Sequence, residues 1–184
     1  MAEGIVLAGG YSSRAHANKM AFIYHGKPLI LSTIETMKPH VRRVVVVSGH
    51  HHGTLRLLLK GMPDVTIVKN PDYDQGMFSS IKVGMRHTKD DVFIIPGDCP
   101  MVVSTTYDQL EQGNHAIRVP AYQGRRGHPI FIASTLRDDL LKAPASTNLK
   151  AFRDSKGFET VPVDDPGILI DIDTKEDYDK ITKG

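Results

Sequence analysis

Short apolar stretches alternate with longer amphipathic stretches along nearly the whole chain. Two of the short stretches, RVVVVS at 43–48 and VFIIP at 92–96, are almost continuous runs of β-branched or aromatic residues. Strands that are buried on both faces have this composition, so we predict a central sheet that is mostly parallel. The predicted strands are Gly4–Ala8, Arg43–Ser48, Val65–Lys69, Val92–Pro96, Ala116–Pro120, Pro129–Ile132, Glu159–Val163 and Gly167–Ile170.

Helical patterns fill the intervals between these strands. Pro28 is predicted in the first turn of its helix, where a missing N–H costs no hydrogen bond. The β–α alternation predicts an α/β fold, a single Rossmann-like domain over residues 1–184 with a mostly parallel twisted sheet flanked by helices. The predicted helices are Pro28–Met37, Gly53–Leu59, Met77–Thr88, Ser104–Gln112, Ser134–Lys142, Asn148–Ser155 and Lys175–Thr182.

Charge and composition exclude several classes of protein. The 184 residues include 23 Lys and Arg against 21 Asp and Glu, which gives a formal net charge of +2. Nucleic-acid and membrane-surface binders carry a strong basic excess, so we expect neither partner. The single cysteine excludes an internal disulfide, and we find neither a signal-peptide pattern nor an apolar stretch of about 20 residues. These features predict a cytoplasmic protein.

Polar segments follow four of the predicted strands. They are AGGYSSR after the first strand, NPDYDQGM after the third, PGDCP after the fourth and DIDTKED after the last. Ligands of doubly wound sheets bind at the carboxyl ends of the strands. The four segments therefore predict one binding site at that edge.

The first polar segment has a composition suited to binding an anion. Gly9 and Gly10 leave backbone N–H groups accessible, Arg14 offers a bidentate guanidinium and Lys19 a mobile positive charge. The segment matches neither common phosphate-loop motif, G-x-x-x-x-G-K-[ST] or G-x-G-x-x-G. A glycine-rich turn with two solvated cations is the alternative.

Carboxylates in two other segments are candidate Mg²⁺ ligands. Asp98 ends an apolar strand, where a carboxylate can share Mg²⁺ with substrate phosphates, although capping of the following turn is the alternative. Asp171 and Asp173 would share a face if their strand continued, but acidic residues here also complement the dipole of a following helix. Cys99 is interpreted as a small buried side chain rather than a nucleophile.

The remaining polar segments allow two interpretations each. Ser79 and Ser80 in the first turn of a helix could contact a base or ribose, or could simply cap the helix. Arg125, Arg126 and His128 could meet a second anionic substrate, or could form a solvated hairpin tip. GHHHG at 49–53 is interpreted as a polar loop, because adjacent histidines diverge in direction.

The order of these motifs resembles the MobA-like NTP transferases. LAGGYSSRAHANKM is similar to the signature L-A-[AG]-G-x-S-x-R-M-G-x-x-K, and GKPLI, NPDYDQGMFSSIKVGM, GDCPMV, GRRGHPIFI and DIDTKEDY follow in register from residue 4 to residue 182. GMFSSI, RGHPIF and DIDT look most like the molybdenum cofactor cytidylyltransferase branch. The resemblance implies a nucleotide-diphospho-sugar transferase-like fold. It also implies transfer of CMP from CTP to the phosphate of molybdopterin, with Mg²⁺ as cofactor, pyrophosphate as leaving group and a molybdoenzyme as possible recipient of the product.

The resemblance also implies a role for individual residues. Arg14, Lys19 and Asp98 would be catalytic, and Asp98 and Asp173 would hold the metal. Arg126, Gly127 and His128 would line the acceptor side. The nucleotide would be bound by Leu7, Ala8, Gly9, Gly10, Asn70, Ser79 and Ser80.

Two departures from the family signature keep other functions open. Ala15 and His16 replace the usual Met-Gly pair, and Gly9 gives the LAGG spelling associated with the guanylyl branch. The alternatives are a molybdopterin guanylyltransferase, a sugar- or polyol-phosphate nucleotidyltransferase, and a non-catalytic nucleotide- or cofactor-binding chaperone for a molybdoenzyme.

Overall fold

The computed structural model describes residues 1–10, 19–172, 174 and 176–179 of the chain. Its strands form one large sheet and a separate two-stranded hairpin. The strands in this part of the chain are β1 (Ala2–Ala8), β2 (Ile23–Tyr24), β3 (Lys27–Pro28), β4 (Val41–Ser48), β5 (Val65–Lys69), β6 (Val92–Pro96), β7 (Ile117–Tyr122), β8 (Arg125–Arg126), β9 (Ile130–Ile132) and β10 (Glu159–Pro162).

Strand β1 lies in the interior of the large sheet, and all seven of its residues are buried. The strand order is β10-β7-β9-β6-β1-β4-β5, with β8 paired to β7. Strands β1, β4, β5 and β6 are mutually parallel, and β10 is parallel to β7. Strand β9 runs antiparallel to both β6 and β7. The predicted α/β fold with a mostly parallel sheet is therefore confirmed.

Helices cover both faces of this sheet. Successive side chains of a strand point to opposite faces, so Val6 and Ile5 of β1 belong to two different apolar clusters. One cluster includes Ile30 and Ile34 of the first helix, and the other includes Ile81 of the third. The helices are α1 (Leu29–Met37), α2 (His52–Leu58), α3 (Met77–Arg86), α4 (Ser104–Glu111), α5 (Arg137–Lys142) and α6 (Leu149–Lys156). Among the described residues, none of the helices is both long and apolar enough to cross a membrane.

The strand predicted at Gly167–Ile170 is wrong. Residues Pro166–Leu169 form a 3-10 helix instead, and the carboxylate of Asp165 accepts a hydrogen bond from the Gly167 N–H at 2.9 Å. The Asp-Pro-Gly sequence starts a capped turn, and this turn chemistry outweighs the strand preference of the apolar residues that follow. The prediction that Asp171 and Asp173 share a face depended on this strand continuing, and Asp173 lies outside the described residues.

Smaller corrections concern the ends of other elements. Pro28 lies in β3 with ψ 140°, outside the helix, and α1 begins at Leu29. The preceding turn contains His25 and Gly26, both with positive φ, which allows β2 and β3 to form a hairpin that the sequence pattern did not predict. Helix α3 ends at Arg86 rather than at Thr88.

A buried charge fixes the amino-terminal end of β1. Glu3 has no exposed surface, and its carboxylate accepts hydrogen bonds from Arg43 Nε (2.5 Å), Arg42 Nη2 (3.1 Å) and the N–H groups of Lys89 (2.5 Å) and Asp90 (2.9 Å). Burial alone would raise the pKa of this carboxyl. The N–H groups of Asp90 and Lys89 and the two guanidinium groups outweigh that effect and lower the pKa to about 2.

We expect Glu3→Gln to lower the free energy of unfolding by about 3–5 kcal/mol, because it leaves buried donors without their charged partner. The pKa of Glu3 is lower in the folded protein than in the unfolded chain. Its stabilisation is therefore complete above pH 4.5 and is lost as the pH falls towards 2. Urea unfolding at pH 7 and pH 3 measures both effects, and the variant should lose less stability in acid than the parent protein.

The matched control is Glu35→Gln, which removes a half-exposed carboxylate paired with Lys27. Exposed ion pairs contribute little, so its free energy of unfolding should change by less than about 1 kcal/mol. Equal losses of unfolding free energy in the two variants would show that the buried Glu3 carboxylate contributes no more stability than an exposed carboxylate.

Candidate functional site

A cavity of about 280 Å³ lies at the carboxyl ends of β1 and β6. Seven residues predicted from the sequence line it together: Leu7, Ala8, Gly9, Gly10, Lys19, Ser80 and Asp98. Three of the four predicted polar segments, those after β1, β5 and β6, therefore meet at this edge. The other lining residues are Met20, Tyr73, Gly76, Met77 and Pro96.

Hydrogen bonds to Gly97 hold Asp98 at the end of β6. The Gly97 N–H donates to Leu7 O at 2.9 Å, and the Thr33 hydroxyl of α1 donates to Gly97 O at 3.0 Å. The Asp98 carboxylate then forms an ion pair with Lys19, and both side chains are largely buried. The pair places one positive and one negative group on the same cavity wall.

Asp171 provides a second negative charge close to Asp98. The Ile172 N–H donates to Asp98 O at 3.0 Å, so the chain at residues 171–172 runs beside the end of β6. The charges of Asp98 and Asp171 both act on Cys99 and on His128. The segment after the 3-10 helix thus brings Asp171 close to Asp98, although Asp171 does not line the cavity.

The neighbouring titratable groups are kept uncharged. Burial raises the pKa of the Cys99 thiol well above its usual range, and the charges of Asp98 and Asp171 raise it further. Burial also lowers the pKa of His128, against the opposing effect of those two carboxylates. Among the described residues, no partner bonds the buried His128 Nδ1. The interpretation of Cys99 as a buried, unreactive side chain agrees with this environment.

The site suits a metal that is shared with a substrate. Magnesium binds through one or two carboxylates together with phosphate oxygens, rather than through a complete protein cage. In the described ranges, no group of three His, Cys, Asp or Glu side chains converges as metal ligands. Asp98 and Asp171 fit the smaller, phosphate-sharing arrangement.

Asn70 joins the loop after β5 to the two serines in the first turn of α3. It is buried at the end of β5, and its amide nitrogen donates to Ser79 Oγ at 2.9 Å and to Ser80 Oγ at 3.0 Å. Its carbonyl oxygen accepts from the Asp72 N–H at 3.0 Å. Only Ser80 faces the cavity, because Asn70 and Ser79 line a smaller neighbouring cavity of about 180 Å³.

The residues predicted on the acceptor side have different environments. Arg126 is exposed in β8, with its guanidinium carbon 5.1 Å from the centroid of the Phe158 ring. Gly127 packs closely on the turn at 166–169, since an added Cβ would lie 2.0 Å from Ile168 O. The next N–H, of His128, donates to that same oxygen at 3.0 Å. The structure therefore brings His128, but not Arg126, beside the two carboxylates.

The carboxy-terminal segment contacts the hairpin that follows Lys19. Tyr178 donates a hydrogen bond from its hydroxyl to Ile23 O at 2.6 Å, and its ring centroid lies 5.1 Å from that of Phe22. Residues 176–179 are helical, and Asp177 accepts hydrogen bonds from the N–H and hydroxyl of Thr174. The Thr174 hydroxyl in turn accepts from the Asp177 N–H at 3.1 Å and caps this helix, and Asp177 lies in its first turn, as the interpretation based on the helix dipole predicted. Arg14 and Asp173, two predicted site residues, lie outside the described residues.

Gly49 supports the cavity wall, although the sequence pattern suggested only a polar loop around it. A Cβ added to Gly49 would lie 2.3 Å from Gly9 O and 2.7 Å from Tyr73 Cβ. The sequence feature that could have indicated this contact is Gly49 itself, directly after Ser48 at the end of β4, since glycine at a strand end permits close backbone contact.

Gly49→Ala should push Gly9 and Tyr73 out of position, lower stability by about 1–3 kcal/mol and weaken nucleotide binding. Thermal unfolding and calorimetric titration with each nucleoside triphosphate measure the two effects. Gly53→Ala in α2 is the matched control, because nothing lies within 4 Å of its added Cβ. Equal nucleotide affinities in the two variants would contradict the supporting role of Gly49.

Two curated relatives align with most of the chain. The molybdenum cofactor cytidylyltransferase of Escherichia coli strain K12 is 25% identical over 176 residues, covering 95% of this chain and 92% of the relative. The molybdenum cofactor guanylyltransferase of Yersinia pestis strain Pestoides F is 30% identical over 131 residues, covering 70% of this chain and 65% of the relative.

A solved structure shares the whole fold. It is a nucleotidyl transferase from Methanothermobacter, with a TM-score of 0.85 and 24% identity, covering 100% of this chain and 96% of that protein. The MobA-like NTP transferase domain matches residues 4–161, which include Gly9, Gly10, Lys19 and Asp98 of the cavity. The chain therefore belongs to the MobA-like NTP transferase family of nucleotidyltransferases.

Proposed function

We propose that this protein transfers CMP from CTP to the phosphate of molybdopterin and releases pyrophosphate. The observation that carries the proposal is the Lys19–Asp98 pair on the wall of a glycine-lined cavity at the carboxyl edge of the sheet. Triphosphate chemistry requires a cation for the phosphates and a carboxylate for a metal, and this cavity offers both groups in contact.

The triphosphate would bind along Gly9 and Gly10, which directly follow β1. Gly9 and Gly10 have no side chains that would keep phosphate oxygens away from the backbone N–H groups. Lys19 would leave Asp98 and neutralise the phosphates as they enter. Ser80, in the first turn of α3, lines the same cavity and would meet the nucleotide near the positive end of the helix dipole.

A divalent metal is used by nucleotidyltransferases of this family, and we propose Mg²⁺ for this protein. Bound magnesium supplies positive charge that stabilises the transition state and the pyrophosphate leaving group. Asp98 would hold it, with Asp173 as the second carboxylate. Asp171 is an alternative to Asp173, and the contact between its backbone neighbour Ile172 and Asp98 favours it.

The residues around the carboxylates favour direct transfer over a covalent intermediate. Cys99 stays protonated at neutral pH because burial and two negative neighbours raise its pKa. Burial lowers the pKa of His128 despite the opposing effect of the two carboxylates, so its imidazole stays neutral and adds no positive charge beside the metal ligands. The acceptor phosphate is then the attacking group, and the cavity residues orient it in line with the leaving pyrophosphate.

The choice of CTP rests on the motifs GMFSSI, RGHPIF and DIDT and on the Escherichia coli relative, which aligns over nearly its full length. GTP is the second candidate, supported by the LAGG spelling and by the Yersinia relative.

We further propose that residues 1–184 form a single domain, that the enzyme works in the cytoplasm and that a molybdoenzyme receives the product.

The first test is pyrophosphate release from CTP, GTP, ATP and UTP, each with Mg²⁺ and with or without molybdopterin. We expect release that depends on molybdopterin and is at least about tenfold faster with CTP than with any other nucleotide, because contacts to the base edge differ between them. Faster release from GTP would identify a guanylyltransferase. Tight nucleotide binding without release from any of the four would support the non-catalytic chaperone.

The second test is Asp98→Asn. We expect it to lower metal-dependent turnover at least about 100-fold, because it removes a charged oxygen ligand worth several kcal/mol in the transition state. Asp154→Asn is the matched control, since that exposed carboxylate on α6 lines no part of the cavity. Mn²⁺ binding followed by paramagnetic resonance gives a readout independent of activity, and unchanged metal affinity in Asp98→Asn would contradict the assigned role.

A further inference from the structure

A second cluster of polar side chains lies between residues Lys38–His40, a 3-10 helix that follows α1, and helix α4. The Nε2 atom of His40 is 2.6 Å from Ser104 Oγ, and its Nδ1 atom is 3.1 Å from Asp108 Oδ1. A carboxylate can only accept, so the neutral imidazole carries its proton on Nδ1. Its Nε2 atom is then the acceptor for the Ser104 hydroxyl, which is the proton arrangement of a serine nucleophile and its base.

The fold produces this cluster from residues far apart in the sequence. Ser104 and Asp108 are four positions apart on α4 and therefore lie on the same face of the helix. His40 is largely buried and reaches that face from the 3-10 helix after α1. The three side chains thus meet in the order nucleophile, base and carboxylate.

Neighbouring contacts hold the cluster in place. The His40 ring stacks on Tyr107, with ring centroids 5.1 Å apart and planes within 9°. The buried carboxylate of Asp165 accepts hydrogen bonds from the Val103 N–H (3.0 Å) and the Thr106 hydroxyl (2.7 Å), which fixes the first turn of α4. A base and nucleophile supported in this way are preorganised, as catalysis requires.

The same turn offers donors for a developing negative charge. The first N–H groups of a helix have no acceptor within the helix. The Val103 N–H bonds Asp165 and the Thr106 N–H bonds Val103 O at 3.2 Å. In the part of the chain that the structure describes, the N–H groups of Ser104 and Thr105 have no acceptor, and they lie beside the Ser104 hydroxyl.

A surface cleft of about 580 Å³ opens beside Ser104 and shares no lining residue with the nucleotide cavity, within the described ranges. Lys27 and Glu35 on its wall pair with each other, and five of its lining residues are apolar, so it would accept a small uncharged acyl group. The apolar lining residues next to Ser104 are Pro39, Pro100, Met101, Val102 and Val103.

We propose that Ser104, His40 and Asp108 form a second catalytic site that hydrolyses small carboxylic esters. Ser104 Oγ attacks the ester carbonyl carbon while its proton passes to His40 Nε2. The bond to the alcohol oxygen breaks, and the alcohol leaves with that proton. A water molecule then attacks the acyl-serine by the same route, which releases the carboxylic acid and restores Ser104.

The test is hydrolysis of p-nitrophenyl acetate by the full chain and by three variants. We expect Ser104→Ala to lower the rate of p-nitrophenolate release at least about 100-fold, because no nucleophile remains, and Asp108→Asn to lower it about tenfold or more. Gln109→Ala, at an exposed position on α4 that lines no part of the cleft, is the matched control and should keep the parent rate. A fluorophosphonate probe should label Ser104, as peptide mass mapping would show.

Three results would overturn the proposal: no hydrolysis above the buffer rate, parental hydrolysis by Ser104→Ala, or labelling at another residue. Asp108 is half-exposed, so Asp108→Asn should fold even where changes to buried His40 do not. Pyrophosphate release should be the same in Ser104→Ala and the parent protein. A result that contradicts ester hydrolysis at Ser104 therefore leaves the proposed nucleotidyl transfer unaffected. A result that contradicts nucleotidyl transfer likewise leaves the proposed ester hydrolysis unaffected.

Discussion

The burial of β1 on both faces is the constraint on which the rest of this structure depends. A strand paired on both edges and covered on both faces by helices has no place for an unpaired polar side chain. Along β1, chemistry is therefore confined to the point where the strand ends. The carboxyl ends of β1 and β6 meet there, which explains why Gly9, Gly10 and Asp98 share one cavity although nearly ninety residues separate them in sequence.

The electrostatics of the cavity follow from the same confinement. Lys19 and Asp98 neutralise each other while largely buried, and the neighbouring thiol and imidazole remain uncharged. A ligand that brings both negative phosphates and a cation can replace this internal pair without leaving a charge uncompensated. The ion pair thus keeps the unliganded site stable and selects for ligands that carry both signs of charge.

The parts of the structure with regular periodicity could be predicted from the sequence, and contacts set by tertiary packing could not. The β-branched runs at 43–48 and 92–96 identified buried strands, and the polar segments after the first, third and fourth predicted strands identified most of the cavity. The turn at 166–169 depended on a local Asp-Pro-Gly cap that competes with an apolar pattern. Gly49 and the His40–Ser104 contact depend on close approaches between distant segments, for which one sequence carries no periodic signal.

Glu3 and the cavity at the carboxyl edge of the sheet lie at opposite ends of β1. The buried charge network around Glu3 therefore secures β1 at the end away from the cavity. In many enzymes, strain at the active site lowers stability, so gains in activity are limited by what the fold can tolerate. Here the stability that Glu3 gives to β1 can offset such losses, although Glu3 is far from the cavity. The loops around the cavity can therefore change in sequence, and accept other nucleotides and acceptors, while β1 remains in position.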